Sequence, residues 1–160
     1  MKKYTLIIIL LFLTHFSIVN SQTNLVITDS IKITKNSNIH ANIENWYSNE
    51  TNIHISVIRT DGKTYIGIAN LYYTRYPKYI QGNVSFKFII FVKEDFLYIR
   101  YYNIVHSSNN ISFGLLLVKQ PNLCNNCYLN IDMCKVLWND FVEYLKNHLM
   151  ITTANLKYYF

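Results

Sequence analysis

The chain has 160 residues, 51% hydrophobic and 16% aromatic, with 15 Lys plus Arg against 9 Asp plus Glu for a formal charge of +6. The cations Arg59, Lys63, Arg75, Lys78, Lys87, Lys93 and Arg100 are dispersed, so no basic run tracks a phosphate backbone and a nucleic-acid partner is not expected. Only 4 glycines leave little material for a phosphate-cradling loop, and neither HExxH nor GxSxG occurs.

Lys2 and Lys3 precede an unbroken apolar run over residues 6–13, and Val19 and Ser21 follow it. A charged start, a short greasy middle and a small residue are the pattern of a signal peptide over residues 1–21, cut after Ser21. The apolar core, about 8 residues, falls well short of the ~20 needed to cross a bilayer. The expectation is a secreted or periplasmic protein whose mature part, 22–160, is a single domain with no membrane span. Loss of Lys2 and Lys3 lowers the cationic surplus from six to four. The first cysteine is Cys124, so no lipid-bearing cysteine stands at the expected cut.

Residues 24–33 read as extended, through Leu25, Val26, Ile27, Ile31 and Ile33. A helix then follows, capped by Asn36 or Ser37. Ile39, Ile43, Trp46 and Tyr47 form its apolar stripe, and it ends near Ser48 and Asn49. Ile53, Ile55 and Val57 begin a strand. Asp61 and Gly62 supply a tight turn, and residues 65–73 form the return strand. Val84, Phe86, Phe88, Ile90 and Val92 share one face of a further strand, with Ser85 and Lys87 opposite. A turn at Lys93, Glu94 and Asp95 leads into a strand over residues 96–105. Residues 111–118 read as another strand, although Leu115, Leu116 and Leu117 also suit a buried helix. A final helix is predicted over residues 133–149, with Asp132 as cap. Cys134, Leu137, Trp138, Phe141, Leu145 and Leu149 lie on one side of it, with Glu143, Lys146 and Asn147 largely on the other. The expected fold is α+β: an antiparallel sheet of about five strands with two helices packed on one face.

That order of elements resembles the secreted bacterial domain of unknown function numbered 4468, which has a TATA-binding-protein-like fold. The resemblance is carried by Trp46 closing the first helix, Tyr65-Ile66-Gly67-Ile68-Ala69, Gly82-Asn83-Val84-Ser85-Phe86, Tyr98-Ile99-Arg100-Tyr101-Tyr102, and Trp138 in the final helix. It covers about residues 24–149. It implies a fold and an origin in Bacteroidetes-type bacteria, but no activity and no functional residues. A shared fold with a DNA-binding factor is not by itself a reason to expect DNA binding.

Two groups of side chains could carry chemistry. Cys124 and Cys127 form a CxxC pair with Cys134 seven residues on. In an oxidising compartment two of the three would close a structural disulfide. A thiol–disulfide exchange site at Cys124 and Cys127 is the alternative, although the pair sits ahead of the expected helix rather than at its N-terminus, where a thiolate is stabilised. Zinc would need a fourth ligand such as His106 or His148, and the two tight ligand pairs usual for zinc are not present. The other group is aromatic. Tyr72 and Tyr73, and Tyr98, Tyr101 and Tyr102, lie on strands whose alternate members point to opposite faces, so some should line the uncovered side of the sheet. Asn, Ile, Tyr and Lys have AT-rich codons, so the tyrosine load alone proves little. No catalytic residue, metal or cofactor is expected. The leading expectation is a non-enzymatic exported module that binds an envelope protein or glycan through its open sheet face. The runner-up is a periplasmic thiol–disulfide oxidoreductase.

Overall fold

The structure, a computed structural model, describes residues 23–34, 38–61, 64–75, 77–118 and 131–160, with the backbone alone at 57–59 and 131. Alternating branched and aromatic residues form β1 (Ile27–Lys32), β2 (His54–Thr60), β3 (Thr64–Tyr73), β4 (Gly82–Lys93) and β5 (Phe96–Ser107), with a short β6 (Gly114–Leu115). Helices α1 (Ile39–Asn49) and α2 (Ile131–Leu156) interrupt and follow them. All strand pairs are antiparallel, in the order β1-β5-β4-β3-β2, with β6 pairing to β5. This is the α+β architecture expected from the sequence.

Both helices cover the same face. From β3 it takes Tyr65, Ala69, Leu71 and Tyr73; from β4 it takes Val84, Phe86, Phe88 and Ile90. Trp46 of α1 meets the Phe88 ring edge-on at 6.0 Å, and Phe141 of α2 meets Tyr73 at 4.9 Å. Burying a side chain the size of Phe88 or Phe141 stabilises the fold by roughly 1.5–3 kcal/mol before cavity effects. The Phe88 ring lies directly over Gly67 on the neighbouring strand, where any Cβ would overlap it, so β3 can pass beneath the ring only as glycine.

The ladder between β4 and β5 slips between Ser85 and Lys87, opposite Asn103, whose φ is +51°. Asparagine tolerates that left-handed backbone better than most residues. The bulge reverses the alternation of β5. Leu97, Ile99 and Tyr101 face the helices before it, whereas Ile104 and His106 face them after it. His106 is thereby carried into the core beside Phe141 and Phe113, at 4.7 and 5.2 Å. Its Nε2 lies 2.9 Å from the Ile80 carbonyl, while its Nδ1 accepts from the Phe113 amide at 3.2 Å. The ring is therefore neutral, with its proton on Nε2. Burial holds its pKa below the ordinary histidine value.

Three boundaries differ from the sequence reading. Asn38 caps α1, accepting from the Ala41 amide at 3.3 Å, and the expected caps Asn36 and Ser37 lie outside the described residues. Helix α2 already includes Asp132 in its first turn and runs past Leu149 to Leu156. The added turns carry Thr152 and Thr153, whose hydroxyls bond back to the carbonyls of His148 and Leu149 at 3.1 and 3.0 Å, which lets polar residues sit buried in a helix. Residues 111–118 ladder only through β6 and a bridge from Leu117 to Asn24. The rest of that segment is strapped down by single bonds: the Leu116 amide donates to Ile104, Leu25 donates to Leu116, and Val118 donates to Thr23.

Candidate functional site: the uncovered sheet face

Among the described residues, none forms a layer over the side of the sheet away from the helices. Its side chains fall into cross-strand rows fixed by the register. One row runs Ser30, Tyr98, Phe91, Thr64; the next Thr28, Arg100, Ile89, Ile66; a third Tyr102, Lys87, Ile68. Ile66, Ile68, Tyr72, Phe91 and Phe96 are exposed here, Ile68 at 45% and Tyr72 at 57%. Large apolar side chains normally turn inward, so this many exposed on one face of a sheet is unusual.

The rings have a definite arrangement. Phe91 and Tyr98 are stacked across β4 and β5, with centroids 5.1 Å apart and planes 12° from parallel, and Phe96 flanks Tyr98 at 6.2 Å and 41°. Ring face meets ring face within the protein. One face of each stacked ring, the ring edges and the aliphatic carbon of Ile66 and Ile68 remain outside the pair.

The face is electrostatically one-sided. Lys32, Lys87, Lys93 and Arg100 all project from it, and no Asp or Glu of a strand does: Asp29 alternates to the other side, and Asp61, Glu94 and Asp95 lie in turns. Arg100 pairs across to Ile89 while Lys87 pairs to Tyr102, so the two cations are diagonal neighbours. None of the four cations has an ion-pair partner among the described residues. Between them lies a shallow depression of about 810 Å³ lined by Thr64, Ile89, Phe91, Val92, Lys93, Arg100 and Tyr102.

Of the five tyrosines expected on this face, the structure brings three together there: Tyr72, Tyr98 and Tyr102. Tyr73 and Tyr101 are corrected. At 2% and 0% exposure they point into the core, because each is one residue out of phase with its exposed neighbour. Tyr101 hydroxyl lies 3.0 Å from Thr153 of α2, and burial raises the phenol pKa. The sequence reading had named only tyrosines as ligand residues. Arg100, Lys87, Ile66, Ile68, Ile89, Phe91 and Phe96 complete the face, and the alternation of β4 and β5 was the signal that could have found them.

Cys124 and Cys127 lie outside the described residues, while Cys134 is buried on the apolar stripe of α2. Among the described residues no cluster of His, Cys, Asp and Glu could hold a metal ion. His106 has both ring nitrogens engaged in the core, and His148 has Nε2 2.9 Å from the Asn52 carbonyl. A Glu44–His40–Tyr65 chain resembles a proton relay, with links of 3.4 and 3.2 Å. It ends, however, on a buried phenol whose pKa is raised, the opposite of an activated nucleophile. No helix among the described residues is long and apolar enough to cross a membrane.

No family model matches the sequence, and no curated protein matches it. Two solved structures are similar in fold. One is a TBP-like protein from Parabacteroides distasonis ATCC 8503, with 11% identity and a TM-score of 0.54 over 83% of this chain and 92% of that one. The other is a DUF4468 family protein from Bacteroides ovatus ATCC 8483, with 10% identity and a TM-score of 0.51 over 83% of this chain and 86% of that one. Both organisms fit the Bacteroidetes-type origin that the resemblance implied. At such identities the likeness is one of architecture, and in architecture this chain is TBP-like, similar to the DUF4468 domain that its order of strands and helices had suggested.

Proposed function

We propose that this protein is a non-enzymatic binding module, exported by the leader at residues 1–21, and that the uncovered sheet face is its contact surface. The observation that carries the reading is the exposed cluster of Ile66, Ile68, Phe91 and Phe96, beside cations with no ion-pair partner among the described residues, on the one side of the sheet that the helices leave bare. An envelope protein or an envelope polysaccharide would suit such a surface, because aromatic and aliphatic anchors with a polar rim supply most of the energy of recognition. The reading as a non-enzyme is supported by the engaged or buried state of His106, His148, Tyr65 and Tyr101.

The test uses the purified protein, an Ile68→Asp/Phe91→Asp variant, and a Met150→Asp control whose changed residue is equally exposed on α2. Each is immobilised and profiled against a panel of bacterial envelope polysaccharides and envelope proteins. A ligand held by wild type and control but lost by the face variant is the expected result. Ligands held equally by all three place recognition elsewhere and overturn the proposal, as does the absence of any ligand. Mass spectrometry of protein recovered outside the cytoplasm should find Gln22 as the first residue. An intact Met1 end would overturn the export part.

A further inference from the structure

Three features of the open face together specify the class of molecule that would lie on it. The first is charge. Arg100 and Lys87 are diagonal neighbours with no ion-pair partner among the described residues, and no strand carboxylate shares their face. Two unneutralised cations at this spacing repel one another and attract an anion. A second copy of this chain laid face to face would set these cations against their own like, so the surface is not self-complementary.

The second is what the floor offers. The side chains of Ile89 and Phe91 form the apolar floor of the depression between Arg100 and Tyr102 at one end and Lys93 at the other, while Val92 alternates to the helix side and packs on the core. Phe91 and Tyr98 are stacked face to face, so each ring has one of its two faces already occupied. Sugars and nucleobases bind aromatic residues through an open ring face. A flexible alkyl chain needs only apolar carbon and ring edges, and those are present.

The third is size. From Ile89 to Lys93 the floor runs about 13 Å along β4, and across β3, β4 and β5 it is about 10 Å wide, from the usual strand rise and spacing. A volume of about 810 Å³ falls within the range of small-ligand sites. The depression alone is smaller than the patch that a stable protein interface occupies.

Resting on the binding role proposed above, we infer that this depression receives a single-chain anionic amphiphile, a medium- or long-chain carboxylate. Its head lies at the Arg100 guanidinium and the Tyr102 hydroxyl, with Lys87 adjacent. Its chain runs along β4 over Ile89 and Phe91. Arg100 is the specificity residue, since a planar guanidinium matches a carboxylate in two-point geometry.

The experiment titrates the purified protein with decanoate, decanol and decyltrimethylammonium below their aggregation concentrations, followed by amide NMR shifts and calorimetry. Decanoate should shift the amides of Thr64, Ile89, Phe91, Arg100 and Tyr102 and bind roughly tenfold or more tighter than decanol, and the cationic amphiphile should not bind. Arg100→Gln should remove about that tenfold preference while leaving decanol binding unchanged, and Ile89→Asp should abolish both. Both positions are on the uncovered face, and far-UV circular dichroism confirms that each variant is folded. Equal binding of decanoate and decanol, unchanged decanoate affinity in Arg100→Gln, or shifts confined to other regions overturn the inference. So does a protein that sediments with phosphatidylglycerol vesicles yet ignores monomeric decanoate, because that describes a bilayer-surface contact. If decanoate fails while a polysaccharide or protein is still lost by Ile68→Asp/Phe91→Asp, this inference falls and the binding role stands. If no ligand of any kind depends on the face, both fall.

Discussion

Single residues set the chemistry of the core more than its composition does. His106 is the clearest case: it is a titratable group with no exposure, donating from one nitrogen and accepting at the other. A second proton on Nδ1 would point at the Phe113 amide hydrogen, and burial already disfavours the charged ring. With the folded pKa below the ordinary 6.5, the unfolded chain binds the proton first as pH falls. Stability is thus complete above about pH 6.5 and declines below it, by at most ~1.4 kcal/mol per pH unit, until the folded value is reached. Urea unfolding at pH 7.5 and pH 5 should show a lower midpoint at pH 5. An NMR titration of the ring protons should place the inflection of His106 below that of a model histidine. An inflection at or above that value would refute the account. From sequence, His106 was named as a fourth ligand that a zinc site would need, because strict alternation along residues 96–105 gives no hint of the slip at Asn103 that buries it. Beyond Tyr102 the slip leaves Val105 and Ser107, rather than Ile104 and His106, on the open face. A one-residue shift in a strand exchanges its two faces, and nothing local to Asn103 announces the shift.

At the level of elements, helices and strands were legible where burial is periodic and obscure where polar groups are satisfied by hydrogen bonds. The stripe from Cys134 to Leu149 was plain. The continuation through Thr152, Thr153 and Leu156 was not, because threonine is a weak helix former whose hydroxyls here bond within α2 and to Tyr101. Residues 111–118 have apolar content enough for a strand, but their backbone bonds go singly to Tyr79, Ile104, Leu25 and Thr23. The β4–β5 hairpin shows a local conflict that the sequence did display. Lys93 pairs with Phe96 around a two-residue loop, and the first loop residue, Glu94, has φ of +56°. Glycine is the residue that this position favours, and a glutamate there is strained. Glu94→Gly should raise stability by about 0.5–1 kcal/mol, the gain from relieved strain exceeding the added freedom of the unfolded chain. Thermal unfolding monitored by circular dichroism tests this, and an unchanged or lower midpoint would mean that the Glu94 side chain contributes more than its backbone strain costs.

For the molecule as a whole, the sheet order separates strands that are close in sequence and joins strands that are distant. β3, β4 and β5 are consecutive hairpins, whereas β1 closes onto β5 across 74 residues, with Ile27 opposite Tyr101. The consecutive set is the local, fast-forming part, β1 adds contacts of long loop closure, and β6 is held as an edge strand of only two residues. Native-state hydrogen exchange should therefore find amides of Phe86, Phe88, Ile90 and Ile99 opening only with global unfolding, and those of Thr28, Ser30 and Leu115 exchanging at lower free energy. Uniform protection across all six strands would contradict this ordering. The architecture itself was legible because every tier agreed: apolar stripes at two periods, a hairpin turn at Asp61, and a count of strands able to seat two helices. The open face was only half legible, since exposed isoleucines look like core until the register shows which way they turn.

The strap at the start of the described chain has a practical corollary. Thr23 and Leu25 are clasped to Val118 and Leu116 beside the outer margin of β5, two strands away from Ile66 and Ile68 on β3. A purification handle fused directly to Thr23 would begin at that margin. Anchoring the protein by its amino end should present the isoleucine side of the sheet to solution, while a bulky fusion there would crowd β1 first.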